Sequence, residues 1–204
     1  MFLSKFKYKN TNLLKIIILS SSLYLISFYF FVSQGLQPIL IIRDLGQIYN
    51  AHIGEGFIST IGIYLWITTS AICFFSSLPR LINNKKYRNF IFNGGIFSFI
   101  LGIDDLFLIH DRYIKEEYIY FIYIFSILLF FYKYIKQIYS CNLSTFFSAI
   151  IFLGTSLLVD QFQSYLPLEY ITVQFFEEGL KFVGISCWLL FWASTAFTLI
   201  KQRT

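Results

Sequence analysis

Apolar residues in this chain gather into six long runs, separated by short polar stretches. The runs are Leu13–Val32, Gly56–Leu78, Phe90–Ile109, Tyr118–Tyr134, Thr145–Val159 and Ile171–Ile200. A helix of about 20 apolar residues crosses the roughly 30 Å of bilayer hydrocarbon. None of the runs alternates like a strand, and each is bounded by charged, glycine-containing or proline-containing segments. The pattern therefore predicts an all-α polytopic transmembrane helical bundle of about six spans, forming a single integral membrane domain over 1–204. The fifth run is short for a span and the sixth is long.

Composition supports a lipid environment. Of 204 residues, 57% are hydrophobic and 13% charged, about half the charge of a usual soluble domain. One soluble core of this size cannot enclose so much apolar surface. The net charge of +5 does not point to nucleic acid, because the basic residues fall in clusters between the runs.

Those clusters set the expected orientation. Lys5, Lys7, Lys9 and Lys15 precede or open the first run, and Arg80, Lys85, Lys86 and Arg88 lie between the second and third. Lys133 and Lys136 belong to the fourth connection, at the end of the fourth run and just after it, and Lys201 and Arg203 close the chain. These segments hold twelve of the sixteen basic residues and none of the eleven acidic ones. The positive-inside rule then gives N-in, C-in, in a plasma (inner) membrane, or in a thylakoid for a cyanobacterial source. A basic start before an apolar stretch also resembles a signal peptide, but the stretch is long and no small-residue cleavage site follows, so it reads as a retained span. Cys73, Cys141 and Cys187 form no metal or disulfide pattern.

The opposite side collects the ionisable residues. The third run ends in Asp104, Asp105, His110 and Asp111, the fifth in Asp160, and the sixth begins with Gln174, Glu177, Glu178 and Lys181. The first loop of that side adds Arg43, Asp44, His52 and Glu55, with Ser59 just inside the second run. At 1.5 Å per residue, Asp104 and Asp160 each lie roughly 20 Å across the membrane, below its outer surface. Ionisable groups at that depth normally face a bundle interior or a watery cavity. Glu177 and Lys181 stand in the i,i+4 order of a helical ion pair, with Gln174 on the same face. On one regular helix Asp104 and Asp111 share a face, while His110 points away from Asp104.

Three kinds of chemistry suit this set. In one, Lys181 neutralises Glu177, Asp104 or Asp160 and the charges only fix helix packing. In the second, adjacent carboxylates such as Asp104 and Asp105 resist double ionisation and exchange protons, as in a proton-coupled carrier of a small molecule. In the third, His52 or His110 and several carboxylates hold a divalent metal that activates water, with Asp105 or Glu178 as base. Trp66, Trp188 and Trp192 read as packing or interfacial residues, and Gly94-Gly95 as a site of close helix approach. Neither oligomeric state nor substrate is legible.

Several segments resemble a group of bacterial and cyanobacterial multi-pass proteins without an assigned activity. They are Arg43-Asp44, Ile58-Ser59-Thr60-Ile61-Gly62 through Trp66, Asp104-Asp105-Leu106-Phe107-Leu108-Ile109-His110-Asp111, Asp160, and Glu177-Glu178-Gly179-Leu180-Lys181 with Trp188. The resemblance implies a shared polar site and names no reaction. Glu55 with Ser59, and Leu101-Gly102-Ile103-Asp104-Asp105-Leu106, also resemble the first motifs of the CREST membrane hydrolases, the superfamily of alkaline ceramidases. That likeness implies a zinc-dependent lipid amidase. It departs at the terminal HxxxH of that superfamily, where this chain has Glu178 and Lys181, and at its usual seven spans. An accessory membrane subunit without chemistry of its own is the third functional class.

Overall fold

The computed structural model describes residues 10–42, 45–52, 54–165 and 167–202. In chain order its helices are α1 (Asn10–Ser33), α2 (Pro38–Ile42), α3 (Leu45–Tyr49), α4 (Phe57–Ser76) and α5 (Lys85–Phe107). Then come α6 (Ile109–Arg112), α7 (Glu116–Ser140), α8 (Leu143–Gln161), a 3-10 turn at Gln163–Tyr165, and α9 (Tyr170–Lys201). No strand occurs among the described residues. The chain is an all-α membrane bundle.

Two compact units divide the chain, Met1–Glu55 and Gly56–Thr204. In the first, α1 covers the first apolar run, and its described apolar stretch is Ile17–Ser33. The chain turns at Gly35, where φ is +86°, and at Asn50, where φ is +50°, two residue types that tolerate the left-handed region. A local turn ends the unit: the His52 amide donates to Glu55 Oε1 at 3.0 Å, and the Gly54 amide to His52 Nδ1 at 3.2 Å.

The second unit holds α4 to α9. Phe57–Ser76, Lys85–Phe107, Tyr118–Ser140, Leu143–Gln161 and Tyr170–Lys201 are each long and apolar enough to span a bilayer. Their outward faces are greasy; Phe121 is 68% exposed and Phe197 69%. Lipid solvates such faces at no cost, whereas water would penalise each ring by about 2 kcal/mol. Caps explain where the helices begin. Asn84 accepts the Lys86 amide and Asn142 accepts Thr145, so α5 starts five residues before its apolar run and α8 two. α7 continues to Ser140 beyond a kink at Tyr134 (φ −117°, ψ 17°), past the lysines that end its apolar run.

The core of this unit is aromatic and lies toward the basic ends of the helices. Phe90 packs on Trp192 at 4.9 Å and on Tyr134 at 5.3 Å, and Phe146 packs on Phe191 at 5.1 Å. Gly94 makes room for the Trp192 indole, where a Cβ would fall 2.2 Å from the ring, and Gly95 abuts Cys73 and Phe74 of α4. Gly184 likewise seats Leu153 of α8 against α9. Fourteen residues separate Phe90 from Asp104, about 21 Å along α5. The ring cluster therefore closes one end of the bundle and leaves the acidic end to be filled by other groups.

Candidate functional site

Four helix ends and one short helix build the acidic end. α5 stops at Phe107 because Leu108 adopts the left-handed region, with φ 51° and ψ 48°. The chain doubles back into α6, and this break corrects the expectation from a continuous helix. His110 faces Asp104: its amide donates to Asp104 Oδ1 at 3.0 Å, and Nδ1 lies 2.8 Å from Oδ2. The side chain of Asp111, expected on the same face as Asp104, lies outside the described residues.

Asp105 looks to other helices. Lys181 Nζ of α9 donates to Asp105 Oδ1 at 2.8 Å, and Trp66 Nε1 of α4 donates to Oδ2 at 2.9 Å. The lysine thus pairs across the bundle, whereas i,i+4 spacing along α9 predicts Glu177 and the packing alternatives are Asp104 and Asp160. Glu177 instead accepts Gln174 Nε2 at 2.8 Å, on the face the spacing predicts. The preference has a physical reason. An exposed helical pair gains a few tenths of a kcal/mol, whereas Asp105, nearly enclosed between α4 and α9, requires a cationic donor. Asp104 and Asp105 each have their own donors, His110 for the first and Lys181 with Trp66 for the second.

On the opposite wall, Asp160 of α8 accepts the Tyr120 hydroxyl and Gln163 Nε2. Tyr123, one turn after Tyr120 on α7, interacts with Asp104. Ser156 Oγ donates to the Glu177 carbonyl at 3.0 Å and ties α8 to α9 beside the site. Tyr120, Tyr123 and Ser156 are participants the sequence did not single out, and Trp66, expected to pack, also donates to the site. Tyr120 and Tyr123 carry a readable signal, i,i+3 spacing at the depth of the aspartates, but it is hidden among 15 tyrosines and 26 phenylalanines.

These groups surround a cavity of about 320 Å³. Asp104, Asp105, His110, Asp160, Glu177 and Lys181 all line it. Its other part is apolar, walled by Phe97 and Leu101 of α5, Ile124 and Ile127 of α7, and Leu153 and Leu157 of α8. A second space of about 10 Å³ lies between α4 and α9, lined by Ser59, Glu178, Asp105 and Lys181. It has room for about one water. The Asp105–Lys181 pair borders both spaces. His52 and Glu55 belong to the other unit and form its local turn, while Arg43 and Asp44 lie outside the described residues.

A family model described as a domain of unknown function, DUF8692, matches residues 16–195. The chain belongs to DUF8692. No curated protein and no solved structure matches it significantly. The DUF8692 match covers every residue of the cavity lining, so the site lies inside the family's shared region.

Whether this DUF8692 site fits a metal follows from its donors. Ligand atoms of Asp104, Asp105 and His110 come within 4.8 Å of one another. Both Asp105 oxygens already accept from Lys181 and Trp66, and both Asp104 oxygens are engaged by His110. A lysine ammonium thus occupies the electrostatic place of a cation at Asp105, and only one imidazole is present. As arranged, the set does not fit a divalent metal centre.

Proposed function

We propose that this membrane protein binds a small molecule in the cavity between α5, α7, α8 and α9, as a binding protein or a small transporter. One observation carries the reading: ionisable side chains from separate helices converge on one part of a partly open cavity whose other part is apolar. Pockets of about 300–1,000 Å³, mostly apolar and with a few placed polar groups, are the usual form of small-molecule sites. Membrane-buried ionisable groups that line a cavity serve substrate or proton pathways more often than packing. With the basic helix ends in the cytoplasm, the polar end opens toward the outer face of a plasma (inner) membrane.

Octanol, a neutral amphiphile, tests the reading. In lipid nanodiscs it should change tryptophan emission saturably, since Trp66 lines the cavity. Leu157→Trp, which fills the apolar part, should abolish the saturable component. A response that rises linearly in both proteins, as simple partitioning does, overturns the proposal and favours an accessory subunit. Proton flux in proteoliposomes on addition of the ligand separates transport from static binding.

The metal-dependent hydrolase is a second reading, drawn from the clustering of Asp104, Asp105 and His110 donor atoms. Stoichiometric zinc, iron or manganese in purified protein would favour it over the binding reading, whereas metal-free protein that binds octanol would end it.

A further inference from the structure

The polar end of the cavity has a balanced half and an unbalanced half. In the balanced half, His110 faces Asp104 and Lys181 faces Asp105. In the other, Asp160 accepts from Tyr120 and Gln163, and Glu177 from Gln174, all neutral donors. Among the described residues at the cavity the ion pair is Lys181–Asp105, with His110, a cation only when protonated, against Asp104; neither contact includes Asp160 or Glu177. Asp160 and Glu177 both line the cavity, so as carboxylates they face it as like charges, with Glu178 adding a third near Glu177 and Lys181 a more distant positive charge. Ser156, one turn before Asp160 on α8, donates to the Glu177 carbonyl and ties the two helices together beside these groups.

Two like-charged carboxylates facing one cavity are stabilised by a positive group placed between them. The cavity that continues from them is walled by leucine, isoleucine and phenylalanine. A bare metal or alkali ion would leave that part empty. An anion would meet four carboxylates against one lysine and one histidine. The volume, at the low end for small-molecule pockets, admits one slender chain and not a pair.

We propose that the ligand is an amphiphilic organic cation, with its ammonium between Asp160 and Glu177 and a single aliphatic tail among Leu101, Ile124, Ile127, Leu153 and Leu157. This rests on the binding reading and deepens it by assigning the headgroup charge. Binding is ionic and apolar, and no covalent bond changes.

The test compares octyltrimethylammonium, octanol and octanoate on the full chain in nanodiscs of zwitterionic lipid, read by saturable tryptophan quenching. The fixed cation should bind on the order of tenfold more tightly than octanol, and octanoate more weakly than either. Asp160→Asn with Glu177→Gln should remove that preference while octanol still binds. Equal affinity for cation and alcohol in the native protein, or tighter binding of octanoate, overturns the headgroup assignment without touching the binding reading. A preference that survives the double substitution also overturns it. If the double variant does not fold, the three-probe comparison on the native chain decides alone. Failure of all three probes instead removes the binding reading itself.

Discussion

Lys181 of α9 donates to Asp105 of α5 at 2.8 Å, across 76 residues of chain, and both side chains are mostly enclosed. Taking one partner away leaves a charge with no counterion in a low-dielectric setting, which costs far more than the pair contributes net. Lys181→Met should therefore lower stability by about 3 kcal/mol, and Lys181→Met with Asp105→Asn should recover most of it. Alkylation of Cys73, fully buried in the folded bundle, reports unfolding in detergent. A double variant as unstable as the single one would mean that Lys181 acts through packing and not through its charge.

Trp192 lies where a side chain at position 94 would be, with the nearest ring carbon 2.2 Å from an ideal Cβ. Gly94→Ala should destabilise by about 1–3 kcal/mol, since either α5 or the indole must move. Trp192→Phe removes the bulkier ring together with an indole N–H that finds no acceptor among the described residues. Combining the two should cost clearly less than the sum of the single changes, measured by the same Cys73 protection. Additive costs would put the strain in the helix backbone.

Leu108 holds a left-handed conformation that disfavours a leucine by about 1–2 kcal/mol, and this residue turns His110 back onto Asp104. Leu108→Gly should keep the fold and the His110–Asp104 contact, because glycine adopts the same φ freely. Leu108→Pro should break both, since proline fixes φ near −65°. The chemical shift of the His110 ring, which its hydrogen bond to Asp104 displaces, checks the contact in each variant. If proline preserved it, the break in α5 would not be what positions the histidine.

Leu108 also marks the limit of what the sequence reveals. Hydropathy locates the helices because lipid, not a partner surface, sets their length and character, and it places Asp104 and Asp160 at a common depth. Nothing in a run of apolar residues marks one leucine as left-handed, so the facing of His110 and Asp104 is invisible to helical periodicity. Lys181 illustrates a second limit. Spacing along α9 identifies Glu177 as a neighbour, but the choice of Asp105 depends on which carboxylate the folded bundle encloses. Helix starts at Lys85 and Leu143 are similarly hidden, because capping asparagines and lysines are hydrophilic and lie outside any apolar run. Trp66 reads as packing and is packed, yet its one polar atom is spent on Asp105.

Cys141 sits between α7 and α8, outside the spans, and burial pushes its thiol above the ordinary cysteine value, partly opposed by the neighbouring Thr195 and Ser140 hydroxyls. A raised value means less thiolate at any given pH, so alkylation at pH 8 should be slower than for an exposed cysteine. Its rate should continue to climb tenfold per pH unit beyond about 8.5, where a free thiol levels off. Rates are measured with an impermeant maleimide on a variant in which Cys73 and Cys187 are alanine. Labelling confined to inside-out vesicles supports the cytoplasmic placement of the basic end, and labelling only of intact cells would reverse it.

Gly154 faces the apolar part of the cavity from α8, and an added Cβ there meets nothing within 4 Å. Glycine inside a helix costs about 0.5–1 kcal/mol relative to alanine, so Gly154→Ala should raise stability by that amount without closing the space. Gly154→Phe should fill the space reserved for a tail and leave Asp160 and Glu177 where they are. The eight-carbon ammonium should then lose at least about tenfold in affinity, the cost of displacing roughly two buried methylene groups. Tetramethylammonium, which has a head and no tail, should bind Gly154→Phe as it binds the native protein. If Gly154→Phe weakened both cations alike, the tail would not run along α8, and the apolar wall would have to serve packing alone.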